Sequence, residues 1–280
     1  MVYSPMELAQ AFIKSGELPD ALEALNTHLE QNPDDDEGLR LRSEVLSRFR
    51  DNVSIQKALN DLIQLHTPSF DDWVRRVALS QKLGDHRSAG YALKQALSLR
   101  PGDERLTEQQ VFLMRDQGQY DDALKVIDTM PHNWRWASHA ADIHLCRGSY
   151  DEAIHTYTKA LKLLSDASPD GHTTDAKANW AAPFEADLYL RRARAWIFLE
   201  NYDKAEADYQ DAAKRIPDDP MIPFKMGIIA LLRGDTEQGE KLCREASMSA
   251  PVAIKALMIS ELQERGFGDQ FLNPENSDNI

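Results

Sequence analysis

An all-α repeat architecture is what this sequence predicts, and three observations carry that expectation. Apolar and aromatic residues recur every three or four positions, as in YLRRARAWIFLENYDKAEADYQDAAKRIPDD over Tyr189 to Asp219, the spacing of one helix face. Within that stretch Ala193, Ala205 and Ala212 stand where a helix seeking only burial would carry Leu or Ile, and Pro217 ends it. The same set of small, large and turn-forming residues returns 34 positions away, again and again.

Taken in order, the first repeat starts near residue 2 and carries Ala9, Phe12, Gly16, Ala21, Leu25 and Pro33. The second, near 36, is the weakest, with Arg50 at the turn and Ile55 where Ala is usual; Leu39, Leu46, Leu59 and Leu62 support it. The third, near 70, holds Trp73, Val77, Gly84, Ala89, Leu93, Ala96 and Pro101. Further repeats begin near 104, 134, 186 and 220, so the intervals are 34, 34, 34, 30, 52 and 34 residues. The short interval follows Pro131, which ends a helix early. The long one contains SDASPDGHTTDAKANWAA, Ser165 to Ala182, whose Ser, Asp, Gly and Pro content reads as an inserted loop. Trp180 is the residue there that favours contact with a partner. After Pro251 the segment 252–265 reads as a capping helix, and 266–280 as a polar, flexible tail.

These residues resemble the tetratricopeptide repeat, whose pattern of one Trp, paired Gly and Tyr, then Ala, Phe and a closing Pro occupies the same spacings. The resemblance covers about Val2 to Arg265. It implies a right-handed superhelical solenoid of about seven antiparallel helix pairs plus a C-terminal capping helix, in a single domain over 2–265. It also implies that the small residues are contact points between helices, and that the first helix of each pair lines a concave groove.

Composition narrows the function classes. The 280 residues carry 46 acids against 32 Lys and Arg, a net charge of −14, which repels nucleic acid and anionic membrane at long range. Cys146 and Cys243 are far apart and outside any CxxC pair, so they read as reduced thiols. The N-terminal residues lack a basic start followed by an apolar run, and no stretch reaches 18 apolar residues. A soluble, non-secreted, cytoplasmic protein is expected.

Catalytic motifs are not found. GDTEQGEK from Gly234 approaches a phosphate-binding loop but has Glu240 where lysine belongs, and no strand precedes it. His139 and His144 are five residues apart, about 140° around a helix, so they do not share a face as metal ligands would. Asp121-Asp122 and Asp218-Asp219 sit at helix starts, where capping explains them. No catalytic residue, metal or cofactor is assigned.

The groove positions implied by the resemblance hold eight bases and seven acids, whereas the rest of the chain has 24 and 39. Arginine's planar fork binds carboxylates in a bidentate way. The expectation is therefore a non-enzymatic adaptor or scaffold that binds a protein or peptide ligand, an acidic or amphipathic segment, through Arg105, Phe112, Arg115, Arg135 and Arg194. Pairing of these arginines with Glu108, Asp116, Asp142 and Asp187 inside the groove is the competing reading. At the C-terminal end Leu190, Phe198, Phe224 and Ile228 form an apolar continuation. Their cover is the cap helix and tail, a second copy in a homo-oligomer, or a partner helix. Two alternatives stay open: a self-assembling structural subunit, and a regulatory subunit of an enzyme complex acting through the inserted loop. The Lys and Asn pair that family members use to hold chaperone tails is absent; Met6 and Gln10, Arg40 and Glu44, Val74 and Ala78, and Leu190 and Arg194 occupy those places.

Overall fold

The computed structural model describes residues 3–167 and 174–267. Among them are fifteen α-helices and no strand. By its internal contacts the chain forms two compact units, Met1–Val126 and Ile127–Ile280, where the repeat spacing predicts one array.

The first unit contains α1 (Pro5–Ser15), α2 (Leu18–Gln31), α3 (Asp36–Ser47), α4 (Asn52–Gln64), α5 (Phe70–Lys82), α6 (His86–Leu99) and α7 (Glu104–Asp116). The boundary falls within α8 (Tyr120–Asp128). The second unit contains α9 (Trp134–Arg147), α10 (Tyr150–Asp166), α11 (Thr174–Phe198), α12 (Tyr202–Ala213), α13 (Met221–Leu232), α14 (Thr236–Ser249) and α15 (Val252–Glu264). Within each unit consecutive helices pack as pairs, α1 with α2, α3 with α4, α5 with α6, α9 with α10, α11 with α12, and α13 with α14.

Local chemistry starts these helices. Ser4 and Glu7 form a reciprocal cap on α1, each side chain accepting the other residue's backbone N–H. Asp35, Asp51, Asp85 and Asp103 accept from the first-turn N–H groups of α3, α4, α6 and α7. The fifteenth residue of every repeat, counted from the starts above, ends a helix in the left-handed region: φ is 85° at Gly16, 70° at Gly84, 72° at Gly118, 84° at Gly148 and 85° at Gly234. At Arg50 (61°) and Glu200 (55°) a side chain occupies that conformation, so those two turns carry strain that glycine would avoid.

The small residues sit where helix axes approach. Ala9, Ala21, Ala89, Ala193, Ala205 and Ala212 are all 0% exposed. In the first unit Ala9 and Ala21 join a layer with Leu25 and Val45, Ala58 one with Leu39, Leu59 and Leu62, and Ala92 and Ala96 one with Val77 and Leu93. In the second unit Tyr157 and Leu188 fill one layer, Tyr209 and Ile222 the next, and Phe224 and Ile228 the last.

Where a loop is expected over Ser165–Ala182, α10 runs on to Asp166 and α11 begins at Thr174. Residues 168–173 lie outside the described residues. Burial explains the helix: Ala181 and Leu188 pack against Tyr157 and Leu164, and tertiary packing overrides a loop-like composition. Trp180 lies beside Phe184, with ring centroids 5.7 Å apart, and Phe184 lies 4.9 Å from Trp134. Of the polar tail only Gly266 and Phe267 are described. Among the described residues no helix is long and apolar enough to cross a membrane.

Candidate protein-interaction surface

The residues expected to contact a partner fall into different environments. In the first unit Arg105 is exposed on the first turn of α7. About three turns on, the Arg115 guanidinium lies 5.2 Å from the centre of the half-buried Phe112 ring. Its Nε and Nη2 donate to Asp116 at 3.0 and 2.8 Å, so this arginine is already paired at the surface.

In the second unit Arg135 is exposed on the first turn of α9 and forms no ion pair among the described residues. Asp142 is not available to a ligand. Its carboxylate accepts the Tyr157 hydroxyl and an Arg191 N–H, each at 2.5 Å, and its side chain is only 14% exposed. It ties α9, α10 and α11 together.

Phe224 and Ile228 are likewise not surface residues. They are 0% and 1% exposed, because α15 places Met258 and Leu262 against them while Cys243 of α14 closes the other side. Phe198 is half exposed and stacks on Tyr150, with centroids 4.7 Å apart and planes 4° from parallel. Arg194 lies 5.9 Å from the same ring.

Leu190 and Arg194 are brought together in a groove of about 620 Å³. Leu190, Arg194 and Ile197 of α11 form one wall, Met221 and Lys225 of α13 the base, and Leu257, Glu261 and Glu264 of α15, with Arg265 capping its end, the other wall. Tyr209 reaches it from α12. Lys225 and Arg265 both pair with Glu261, which fixes α15 to α13. Burial, reinforced by the Glu261 carboxylate, holds the Tyr209 phenol above its ordinary pKa, so it is a neutral hydroxyl. Arg194 forms no ion pair among the described residues and remains as an uncommitted cation beside Leu190 and Ile197. Glu264, on the facing wall, likewise pairs with no cation among the described residues.

The histidines have structural surroundings. His139 lies edge-on to Trp136 at 5.5 Å, and burial pushes the half-buried His144 below its ordinary pKa. The GDTEQGEK segment is a helix–helix turn in which Asp235 caps α14 and Gly239 packs against Leu231.

Two segments match models described as the tetratricopeptide repeat, residues 114–172 and residues 186–219. The second match coincides with the sixth repeat read from the residue spacing. Those two segments are tetratricopeptide repeats.

The chain is 29% identical over 143 residues to tetratricopeptide repeat protein 16 of Homo sapiens. That match spans 51% of the chain but only 16% of the human protein. Among solved structures it is similar to a tetratricopeptide repeat protein from Parabacteroides merdae, with a TM-score of 0.57, 19% identity, and coverage of 92% of this chain and 96% of that one. It is also similar to the C-terminal part of a repeat-containing protein from Cytophaga hutchinsonii, with a TM-score of 0.59, 12% identity, and coverage of 96% and 95%. At such identities the likeness concerns the fold alone.

Sequence reasoning missed Lys225, Leu257, Glu261 and Arg265 as groove residues. One signal for three of them is present in VAIKALMISELQER: Leu257, Glu261 and Arg265 are spaced by four and share a helix face. Reading this segment only as a solvating cap hid its second role as a wall.

Proposed function

We propose that this tetratricopeptide repeat protein is a non-enzymatic adaptor that holds a segment of a partner protein in the groove between α11, α13 and α15. The observation that carries this reading is the pairing of an apolar strip with one uncommitted cation. Leu190, Ile197, Met221 and Leu257 offer contact area, and Arg194 offers a fork for a carboxylate. The complementary ligand is an amphipathic helix or extended segment with two or three apolar side chains and an acid beside them. Exposed pairs contribute only about 0–1 kcal/mol each, so the apolar strip supplies most of the affinity and Arg194 sets orientation. Arg135 is a further exposed cation of the same unit that a longer partner could use.

The test is a photo-crosslinkable residue at Leu257 of the full chain in native cell extract, with and without Arg194→Glu. The proposal expects one partner joined at residue 257 and lost in the Arg194→Glu protein, while Arg105→Glu leaves it largely retained. A crosslinked partner unaffected by Arg194→Glu, or no partner at all, overturns the groove assignment. Self-assembly through the last repeats is less favoured, because Phe224, Ile228 and Leu231 are already covered within the chain.

A further inference from the structure

A second cavity, of about 480 Å³, opens in the first unit between α4, α5 and α6. Arg76 and Ser80 line it from α5, Arg87 and Tyr91 from α6, and Ile63 from α4. None of these is explained by the repeat pattern.

Arg76 is 8% exposed and permanently charged, yet its compensation is incomplete. One Nη donates to the Leu62 carbonyl, and the guanidinium lies 4.1 Å from the Trp73 ring centre, but Nε has no acceptor. Asp72, one turn earlier, acts on Arg76 through its charge, but its ion pair is with Arg40. Its Oδ2 accepts from the Ser69 N–H, the Ser69 hydroxyl and Arg40 Nε at 2.8, 2.8 and 2.9 Å. Burial lowers the pKa of Arg76 from its ordinary value, as an under-compensated cation requires.

Ser80, one turn further along α5, is 0% exposed and its hydroxyl has no partner. Arg87 is exposed and forms no ion pair among the described residues; Asp85, the acid that acts on it, is engaged in capping α6. In a chain of net charge −14, two guanidiniums lining one cavity without a dedicated carboxylate are an exception. Beside them Ile63 and Tyr91 are 57% and 59% exposed.

We propose that this cavity binds a phosphate monoester, held between Arg76 and Arg87, with the Ser80 and Tyr91 hydroxyls as further donors and an apolar carrier lying on Ile63 and the Tyr91 ring. Two guanidiniums and two hydroxyls offer more donors than a two-oxygen monoanion accepts, and a dianion balances both charges. Ser80 reaches the ligand by a rotamer change that breaks no hydrogen bond, because its hydroxyl makes none. The cavity exceeds the size of a phosphoryl group and has room for its carrier. The site is independent of the groove in the second unit.

The experiment is an amide-resolved NMR titration of the full chain with phenyl phosphate, inorganic phosphate, benzoate and a short phosphotyrosyl peptide. Saturable shifts confined to α4, α5 and α6, weakened about tenfold by Arg87→Gln, are expected, the size of one charge-assisted hydrogen bond. Arg87→Gln alters an exposed side chain and leaves the fold intact, and Ser80→Ala adds a second, milder variant with a few-fold loss. Tighter binding of the peptide supports a phosphorylated protein as the carrier, and tighter binding of phenyl phosphate supports a small phosphorylated molecule. Absence of saturable shifts, or binding indifferent to Arg87→Gln, overturns the site. Benzoate binding as tightly as phenyl phosphate overturns the dianion, and inorganic phosphate doing so overturns the apolar carrier.

Discussion

Gly227→Ala tests the close approach of α13 and α14. A Cβ at this position would meet Cys243 Sγ at 2.7 Å, the Cys243 backbone nitrogen at 3.0 Å and the Gly239 carbonyl oxygen at 3.0 Å. Two of the three atoms are backbone, so no side-chain rotation relieves them and the helices must part. Replacing glycine within a helix gains about 1 kcal/mol in propensity, whereas overpacking a tight junction costs about 1–3 kcal/mol. Three simultaneous contacts put the cost in the upper part of that range, about 2–3 kcal/mol, which leaves a net loss of about 1–2 kcal/mol. Cys243 reports this locally. Its thiol is 0% exposed and is pushed up to about 12 by burial and the Glu261 carboxylate, so labelling requires local opening. The exposed Cys146 serves as an internal control. Thiol labelling resolved by mass spectrometry should show Cys243 reacting about 5- to 30-fold faster in the variant, with Cys146 unchanged. Gly90→Ala, whose Cβ would meet only a Leu113 methyl at 3.1 Å, should be neutral or slightly stabilising. An unchanged Cys243 rate together with an unchanged thermal melt in Gly227→Ala would refute the reasoning.

Glu200→Gly removes a side chain from a turn at φ 55° and should raise the urea midpoint by an amount equivalent to about 0.5–1 kcal/mol; a lower midpoint would contradict the strain argument. Tyr157→Phe keeps the ring of a fully buried side chain but deletes its 2.5 Å hydrogen bond to Asp142, and should cost about 1.5–3 kcal/mol in urea unfolding. No loss there would mean that Arg191 alone satisfies the carboxylate. Asp36 accepts from the His66 N–H, the Thr67 N–H and the Thr67 hydroxyl at 3.0, 3.1 and 3.0 Å, which holds its carboxyl far below the usual range. A depressed folded-state pKa gives stability present at neutral pH and lost as pH falls below the unfolded carboxylate value of about 4. The stability gap between wild type and Asp36→Asn should therefore narrow from pH 7 to about pH 3, and a constant gap would show that the ionised form matters little.

Particular residues show how far the sequence could be read. The seven turns were legible because a left-handed residue recurs with the repeat, and even Arg50 and Glu200, which lack the glycine, stand in register. The helical start of α11 was not, since its polar composition suggests a loop and only burial of Ala181 and Leu188 by neighbouring helices reverses that preference. Among the groove candidates, Arg194 and Leu190 line one cavity. Asp142, Phe224 and Ile228 were not available, because Arg191 is 49 residues from Asp142 and Met258 lies in the second helix after that of Phe224.

The sequence by itself determined the all-α class, the repeat spacing and the fully buried small residues such as Ala193, Ala205 and Ala212. These are local or periodic properties: helix propensity, turn conformation and the distance between helix axes repeat with the chain. Only the tertiary structure decided which charges are committed and which remain free. Arg115 closes on Asp116, Asp142 on Tyr157 and Arg191, and Lys225 on Glu261, while Arg194, Arg76 and Arg87 keep unused donors. The physical reason is that a charge is satisfied by whatever folds beside it, and that neighbour follows from packing between elements, not from periodicity within one.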